Sequence, residues 1–149
     1  MTTSEMTALS LVTEAWRAIE AGEIDRLSEV MSPDIELETT TGGGSGVEYA
    51  KGVFRRHVES YPDIRHEVLG LVESADGQAV ALEMRFTGTH RGTLRTPLGV
   101  IEPSGRQLTW RSSDHIRAAG GRIVSWRAYF DRLALLEQLG RLDLLANGR

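Results

Sequence analysis

The chain contains no cysteine, which excludes disulfide bonds, thiolate metal ligands and a cysteine nucleophile. It also lacks any run approaching the ~18 apolar residues of a membrane-spanning helix. The opening stretch, MTTSEMTALSLVTEAW, has two glutamates and no basic region followed by an apolar block, so it does not resemble a signal peptide. The absence of cysteine fits a reducing compartment. We therefore expect a cytoplasmic protein with no membrane partner.

The chain also lacks an excess of positive charge, since 17 Lys and Arg against 21 Asp and Glu give a net charge of −4. Nucleic-acid-binding domains usually carry a basic patch, so the composition argues against a nucleic-acid partner. No two histidines have metal-ligand spacing and no carboxylates cluster with them, so no metal site is expected. The length, the lack of repeats and the lack of a linker predict a single domain over residues 1–149.

Apolar residues at three- and four-residue spacing predict helices in four segments, which are 5–21, Ile24–Met31, Val47–Tyr61 and Arg132–Leu145. Ser4 stands at the expected N-cap of the first helix and Asp131 at that of the last. Gly140 stands where the last helix would end or kink. Pro33 and Asp34 predict a turn after the second helix.

The remaining segments read as strands, namely Asp34–Thr41, Arg65–Glu73, Gln78–Thr89, Arg106–Arg117 and Arg122–Phe130. The sequence GGGSG at Gly42–Gly46 predicts either a mobile loop or a backbone that passes close to another group. Arg91–Gly105 is a loop-rich insertion between two long strands. Helices on one side of an antiparallel meander are the α+β pattern.

The second half of the chain resembles the SnoaL-like polyketide cyclases of the nuclear-transport-factor-two-like superfamily. The motifs that carry the resemblance are Phe86-Thr87-Gly88-Thr89-His90, Thr96-Pro97-Leu98-Gly99, Ser104-Gly105-Arg106, Asp114, Gly121-Arg122-Ile123-Val124, Tyr129-Phe130-Asp131 and Leu133–Gly140. The resemblance implies a cone-shaped fold, in which a curved antiparallel sheet and N-terminal helices enclose one deep, mostly apolar cavity. It also implies chemistry without a cofactor on a small hydrophobic substrate, and a homodimer.

Gly120–Asp131 is also similar to the limonene-epoxide-hydrolase-like enzymes of the same superfamily. Both relatives imply an acidic residue at the position that is Ala128 here. The epoxide hydrolases further imply an Arg and an Asp on the middle strand, where this chain has Met84 and Phe86. The hydrolase triad is therefore absent, and any proton transfer needs another residue.

Strand alternation identifies the residues that share a face with Ala128. The expected inward set is Val124, Trp126 and Phe130, then Leu82, Met84 and Phe86, then Leu108, Trp110, Ser112 and Asp114. Burial among Trp and Leu side chains raises the pKa of a carboxyl group, as a general acid or base near neutral pH requires. Asp114 is therefore the predicted catalytic residue. The alternative is a structural Asp114, hydrogen-bonded to a backbone group or to an arginine at the rim.

The predicted substrate-binding residues are Trp16, Thr39, His66, Met84, Phe86, His90, Trp110, Trp126 and Phe130. The large aromatics among them are expected in the core, and two of them would also form part of the pocket wall. His66 is expected to face the cavity beside Val68, with an edge histidine without a role as the alternative. His90 is expected at the pocket mouth, whereas His115 and Tyr129 alternate outward.

The main hypothesis is a cofactor-free cyclase or isomerase that shapes a small hydrophobic, polyketide-type substrate, with Asp114 moving a proton or polarising a carbonyl. A cyclisation steered mainly by the shape of the cavity is compatible with the loss of the acid at Ala128. The enzymatic alternative is epoxide hydrolysis or epoxide-opening cyclisation. The non-enzymatic alternative is a protein that binds a lipophile without converting it, and a ketosteroid-isomerase-like activity ranks last.

Overall fold

The computed structural model describes residues 6–147. The helices are α1 (Ala8–Glu20), a 3₁₀ helix (Ile24–Glu29), α2 (Val47–Ser60), α3 (Arg132–Gln138) and α4 (Leu144–Asn147). The strands are β1 (Met31–Thr39), β2 (Gly42–Ser45), β3 (Arg65–Glu73), β4 (Ala79–Thr89), β5 (Leu94–Thr96), β6 (Gly99–Ile101), β7 (Gln107–Ala119) and β8 (Arg122–Phe130). In the described residues, no helix is long and apolar enough to cross a membrane.

Six strands form one curved, open sheet in the order β2-β1-β8-β7-β4-β3, and β5 and β6 form a separate small hairpin. All neighbours in the large sheet are antiparallel except β1 and β8, which run parallel. Along β7, buried and exposed residues alternate without interruption. Helices α1, α2 and α3 therefore pack on the buried face of the sheet. The α+β fold expected from the sequence is confirmed.

The first helix begins later than its apolar spacing predicts. Thr7 is the N-cap of α1, and its side-chain oxygen accepts a hydrogen bond from the Ser10 amide at 3.1 Å. Ser4, the expected cap, lies outside the described residues. The second predicted helix is a 3₁₀ helix that stops at Glu29, since β1 already begins at Met31.

The expected turn at Pro33 is wrong, because Pro33 lies inside β1. The pairing of β1 with β8 is irregular between Met31 and Glu36. Proline is tolerated in a strand where no ladder N–H is needed, and this irregular stretch meets that condition.

The glycine-rich segment is not a loop but the edge strand β2, which pairs with β1 from Glu36↔Ser45 to Thr39↔Gly42. A Cβ at Gly44 would lie 2.8 Å from ring atoms of Tyr49. The second alternative for this segment, a backbone that passes close to another group, is therefore confirmed at Gly44.

Two expectations about strand faces are wrong. On β8, Ile123 is fully buried in place of Val124, because the pairing with β7 shifts between Arg117 and Ala118. On β3, Val68 is 44% exposed, since the pairing with β4 is interrupted directly after it. Irregular pairing of this kind reverses which side chains face the core.

Candidate active site

A cavity of about 480 Å³ lies between the open end of the sheet, helices α2 and α3, and the β5–β6 hairpin. We call it the outer chamber. Its apolar and aromatic wall includes Tyr49, Val53, Tyr61, Leu94, Trp110, Phe130, Leu135, Leu136 and Leu139, and its charged residues are Arg56, Glu59, Arg95 and Arg132.

A smaller pocket of about 40 Å³ reaches further into the sheet, and we call it the inner pocket. It shares Thr39, Val53, His57, Trp110 and Phe130 with the outer chamber. The inner pocket is therefore the floor of the outer chamber. A buried water occupies roughly 10–15 Å³ by the same measure, so the floor has room for a small group such as a carbonyl.

Asp114 lies on β7 at this floor and is 1% exposed. The indole N–H of Trp126 donates to Oδ2 of Asp114 at 2.8 Å, and the hydroxyl of Ser112 donates to Oδ1. Burial raises the pKa of Asp114 from 3.8 to about 6, against the lowering effect of the bonds from Ser112 and Trp126. A carboxyl group with this pKa can both accept and return a proton near neutral pH.

Ala128, at the position where the resemblance implies an acid, is the direct cross-strand partner of Asp114 in the β7–β8 pairing. Both residues line the inner pocket. Side chains directly opposite on antiparallel strands have Cβ atoms about 4.5–5.5 Å apart. The carboxyl group of Asp114 thus occupies the same part of the cavity that an acid at Ala128 would reach.

Most of the expected substrate-binding residues come together around Asp114. Trp16, Thr39, Phe86, Trp110, Trp126 and Phe130 line the inner pocket. Met84 is fully buried in the core and is not part of the lining of either cavity.

The two expected histidines lie away from the cavity lining. His66 lies behind Trp16, with ring centroids 5.5 Å apart, and its Nδ1 is 2.5 Å from Oε1 of Glu20. The expectation that His90 lies at the mouth is wrong, because His90 is fully buried and bonds through Nδ1 to Ser104. These bonds connect His90 to the end of the 91–105 segment.

Two further expectations, those for Tyr129 and Asp131, are confirmed. Tyr129 is 45% exposed and packs against His115 on the outer face of the sheet. Asp131 caps α3, with its Oδ1 accepting from the Ala134 amide at 3.0 Å. Within residues 6–147, no group of three His, Asp or Glu side chains could hold a metal ion.

Sequence reasoning missed His57, which lines both the outer chamber and the inner pocket. Its Nδ1 lies 2.9 Å from the carbonyl of Val53, so Nδ1 carries the proton and Nε2 keeps a lone pair. Burial lowers the pKa of His57, so the ring is neutral near pH 7. His57 follows Val53 by one helical turn and so lies on the apolar face of the helix that the spacing predicts. That position is the sequence signal that could have identified His57 as a cavity residue.

The segment that leads into the β5–β6 hairpin is bonded to the end of α2. The amides of Arg91 and Gly92 donate to the carbonyl of Ser60 at 3.1 and 3.3 Å, and the hydroxyl of Ser60 donates to the carbonyl of Thr93. A Cβ at Gly92 would lie 1.9 Å from the carbonyl oxygen of Glu59. Residues 91–93 are therefore held directly on the C-terminal end of α2.

Three solved structures share this fold over most of their length. A candidate SnoaL-like polyketide cyclase from Jannaschia sp. CCS1 is 20% identical, covers 93% of this chain and 94% of its own, and has a TM-score of 0.78. AclR, a candidate hydroxylase from Streptomyces galilaeus, is 23% identical with coverages of 91% and 85% and a TM-score of 0.75. IdmH, a candidate polyketide cyclase from Streptomyces antibioticus, is 23% identical with coverages of 89% and 98% and a TM-score of 0.74.

A search of curated proteins gives no match. The family model described as SnoaL-like polyketide cyclase matches residues 8–139, which span the sheet, its covering helices and both cavities. The chain therefore belongs to the SnoaL-like polyketide cyclase family.

Proposed function

We propose that the protein is a cofactor-independent cyclase or isomerase that folds a small, apolar, carbonyl-bearing substrate of the polyketide type, with Asp114 as its proton-handling group. The observation that carries this proposal is the position of Asp114, a buried carboxyl group at the floor of a mostly apolar cavity. Its pKa of about 6 lets both protonation states be populated near neutral pH. Family membership supports the reaction class.

The proposed chemistry needs only one proton carrier. The carboxylate of Asp114 removes a proton from a carbon that lies between two carbonyl groups. That carbon bonds to the carbon of another carbonyl in the same chain, and the oxygen there takes the proton back from Asp114. One C–C and one O–H bond form while one C–H bond and one C=O π bond break, so the product is an isomer of the substrate.

Two buried donors on the cavity wall support a substrate rich in acceptor oxygens. The indole N–H of Trp16, which lines the inner pocket, has no hydrogen-bond partner within residues 6–147. The same holds for the hydroxyl of Tyr61, which lines the outer chamber. A buried donor without a partner costs about 1–3 kcal/mol. Substrate carbonyl oxygens could remove this cost on binding.

Epoxide hydrolysis finds less support. Met84 and Phe86, which stand where the resemblance implies an Arg and an Asp, are both buried apolar side chains. Asp114 is the sole carboxyl group among the residues that line the inner pocket. A second acid to activate water beside it is therefore missing from this lining.

The decisive comparison is Asp114→Asn against Asp34→Asn, a matched control at an exposed position on β1. Both variants and the wild type are incubated with linear β-polyketones, and isomers of unchanged mass are followed by chromatography with mass detection. We expect turnover in the wild type and control, and its loss in Asp114→Asn with ligand binding retained. Full activity of Asp114→Asn would contradict the assignment. Tight binding without turnover in the wild type would favour the lipophile-binding alternative.

We also propose that the protein works as a homodimer in the cytoplasm. β3 is an edge strand and exposes Val68, Leu71 and Val72 at 44, 43 and 73%. An exposed apolar edge of this kind suits contact with a second copy. Light scattering of the wild type and of Val72→Glu tests the dimer, which the variant should weaken. A monomeric wild type would contradict the proposed dimer.

A further inference from the structure

The outer chamber carries three arginines that neither the cyclase chemistry nor the fold uses. They come from three separate elements: Arg56 from α2, Arg95 from β5 and Arg132 from the first position of α3. In the described part of the chain, the salt bridges and side-chain hydrogen bonds of arginine involve other residues, such as Arg85 with Glu67 and Arg55 with Asp25. The guanidinium groups at the chamber have no such partner there.

One negative charge also lines the outer chamber, that of Glu59 on α2. It forms no ion pair with the three arginines in the described structure, and three cations against one anion leave this wall positive by two charges. The whole chain has a net charge of −4, so the positive wall is a local feature. Arg56 and Arg95 are exposed and Arg132 is half-buried. Like charges gathered around one cavity repel one another until an anion neutralises them.

We propose that the outer chamber recognises an anionic group on the substrate, a carboxylate held by Arg56, Arg95 and Arg132, while the apolar part of the substrate extends toward Asp114. This inference rests on the proposed function for its orientation and defines the substrate class as an amphiphilic acid. The planar guanidinium fork suits a carboxylate, to which it can donate two parallel hydrogen bonds.

The arrangement also separates the two charged sites. The arginines line the outer chamber but not the inner pocket, and Asp114 lines the inner pocket but not the outer chamber. An anionic end held by the arginines is thereby kept away from the ionised form of Asp114. The substrate would enter with its reacting carbonyl first and its carboxylate last.

The test is calorimetric titration with decanoate and with decanol, which share an alkyl chain and differ in the charge of the head group. Without the arginines, the alcohol should bind at least as well, because a carboxylate costs more to desolvate. We expect the wild type to prefer decanoate by about tenfold or more. Each of Arg56→Gln, Arg95→Gln and Arg132→Gln should weaken decanoate binding by about fivefold, the size of a well-formed exposed ion pair, and leave decanol binding unchanged.

Two further variants sharpen the result. Glu59→Gln removes the opposing charge and should strengthen decanoate binding. Arg111→Gln, on the exposed face of β7, is the matched control and should change neither ligand. The proposal is overturned if neither ligand binds, if decanol binds as tightly as decanoate, or if Arg111→Gln acts like the chamber variants.

The outcome is independent of turnover. Asp114→Asn should keep the preference for decanoate, since it leaves all three arginines in place. If the preference for decanoate is absent while Asp114-dependent turnover is present, the anion site is contradicted and the proposed function is not. If the preference is present while no variant shows turnover, the proposed function is contradicted and the anion site is not.

Discussion

The buried carboxyl group of Asp114 makes the stability of the protein depend on pH, and replacing it with Asn isolates that dependence. The folded-state pKa of Asp114, about 6, lies above the usual 3.8 because the side chain is desolvated. Between these values the folded chain holds a proton that the unfolded chain has lost. The contribution of Asp114 to the free energy of unfolding therefore has its full value below pH 3.8 and decreases as the pH rises toward 6.

The magnitude follows from the two pKa values. Raising the pKa from 3.8 to about 6 corresponds to about 3 kcal/mol, at 1.36 kcal/mol per pH unit. Asp114 is 1% exposed, so solvent screening takes little from this figure. Asn has nearly the same shape and no charge. Relative to the wild type, Asp114→Asn should thus gain about 3 kcal/mol in free energy of unfolding as the pH rises from below 3.8 to 7, most of it between pH 4 and pH 6.

Urea unfolding of both proteins at half-unit steps from pH 4 to pH 8 measures this difference. All other titrating groups are common to the two chains, so subtracting one curve from the other cancels them. We expect the difference to rise through pH 4–6 and to level off above pH 6. A difference that stays flat over this range, or that falls, would refute the assignment of a desolvated, proton-holding Asp114.

Three further results are expected. Ser112→Ala removes a donor that lowers the pKa of Asp114, so the acidic limb of the pH–rate profile should move to higher pH, whereas outward-facing Ser113→Ala should leave it in place. Because Ala128 pairs directly with Asp114, the double variant Asp114→Ala/Ala128→Asp should recover part of the turnover that Asp114→Ala loses. Gly92→Ala would place a Cβ 1.9 Å from a backbone carbonyl of α2, and the resulting overpacking should lower the free energy of unfolding by about 1–3 kcal/mol, measured by urea unfolding.

The alternation along β7 shows how much a regular pattern can predict. The sequence places Leu108, Trp110, Ser112 and Asp114 on one face, and the structure buries all four. Strand pairing without bulges keeps the side-chain period at two residues. The burial of a carboxyl group within this apolar set is therefore predictable from the sequence.

The same reasoning fails where pairing is irregular. The shift between Arg117 and Ala118 exchanges Val124 for Ile123 on the inward face of β8. A bulge depends on how two strands meet, and neither strand encodes it alone. Gly42–Ser45 forms an edge strand for a related reason, because pairing with β1 outweighs the low strand propensity of glycine.

The sequence also predicts some residues of the candidate site and not others. Asp114 could be predicted because a carboxyl group stands out among the apolar residues of β7. His57 was missed because a histidine at an apolar position of a helix is a weaker signal. His57 follows Val53 and precedes Tyr61 by one helical turn each, so a polar side chain takes a place on the apolar face of α2. Such a position is informative only once the opposite wall of the cavity is known, and that wall is formed by Trp110 and Phe130, which are distant in sequence.

The position of Asp114 opposite Ala128 gives a physical reason for an alanine at the position where the resemblance implies an acid. Two carboxyl groups at a distance of one cross-strand pair repel each other when both are ionised, and one of them stays protonated. A single carboxyl group avoids this, and Trp126 and Ser112 already give each oxygen of Asp114 one donor. The small Ala128 side chain leaves the floor of the cavity open beside it. Under the proposed function, the inner pocket would admit a carbonyl-sized group next to Asp114, and the larger outer chamber would select the substrate.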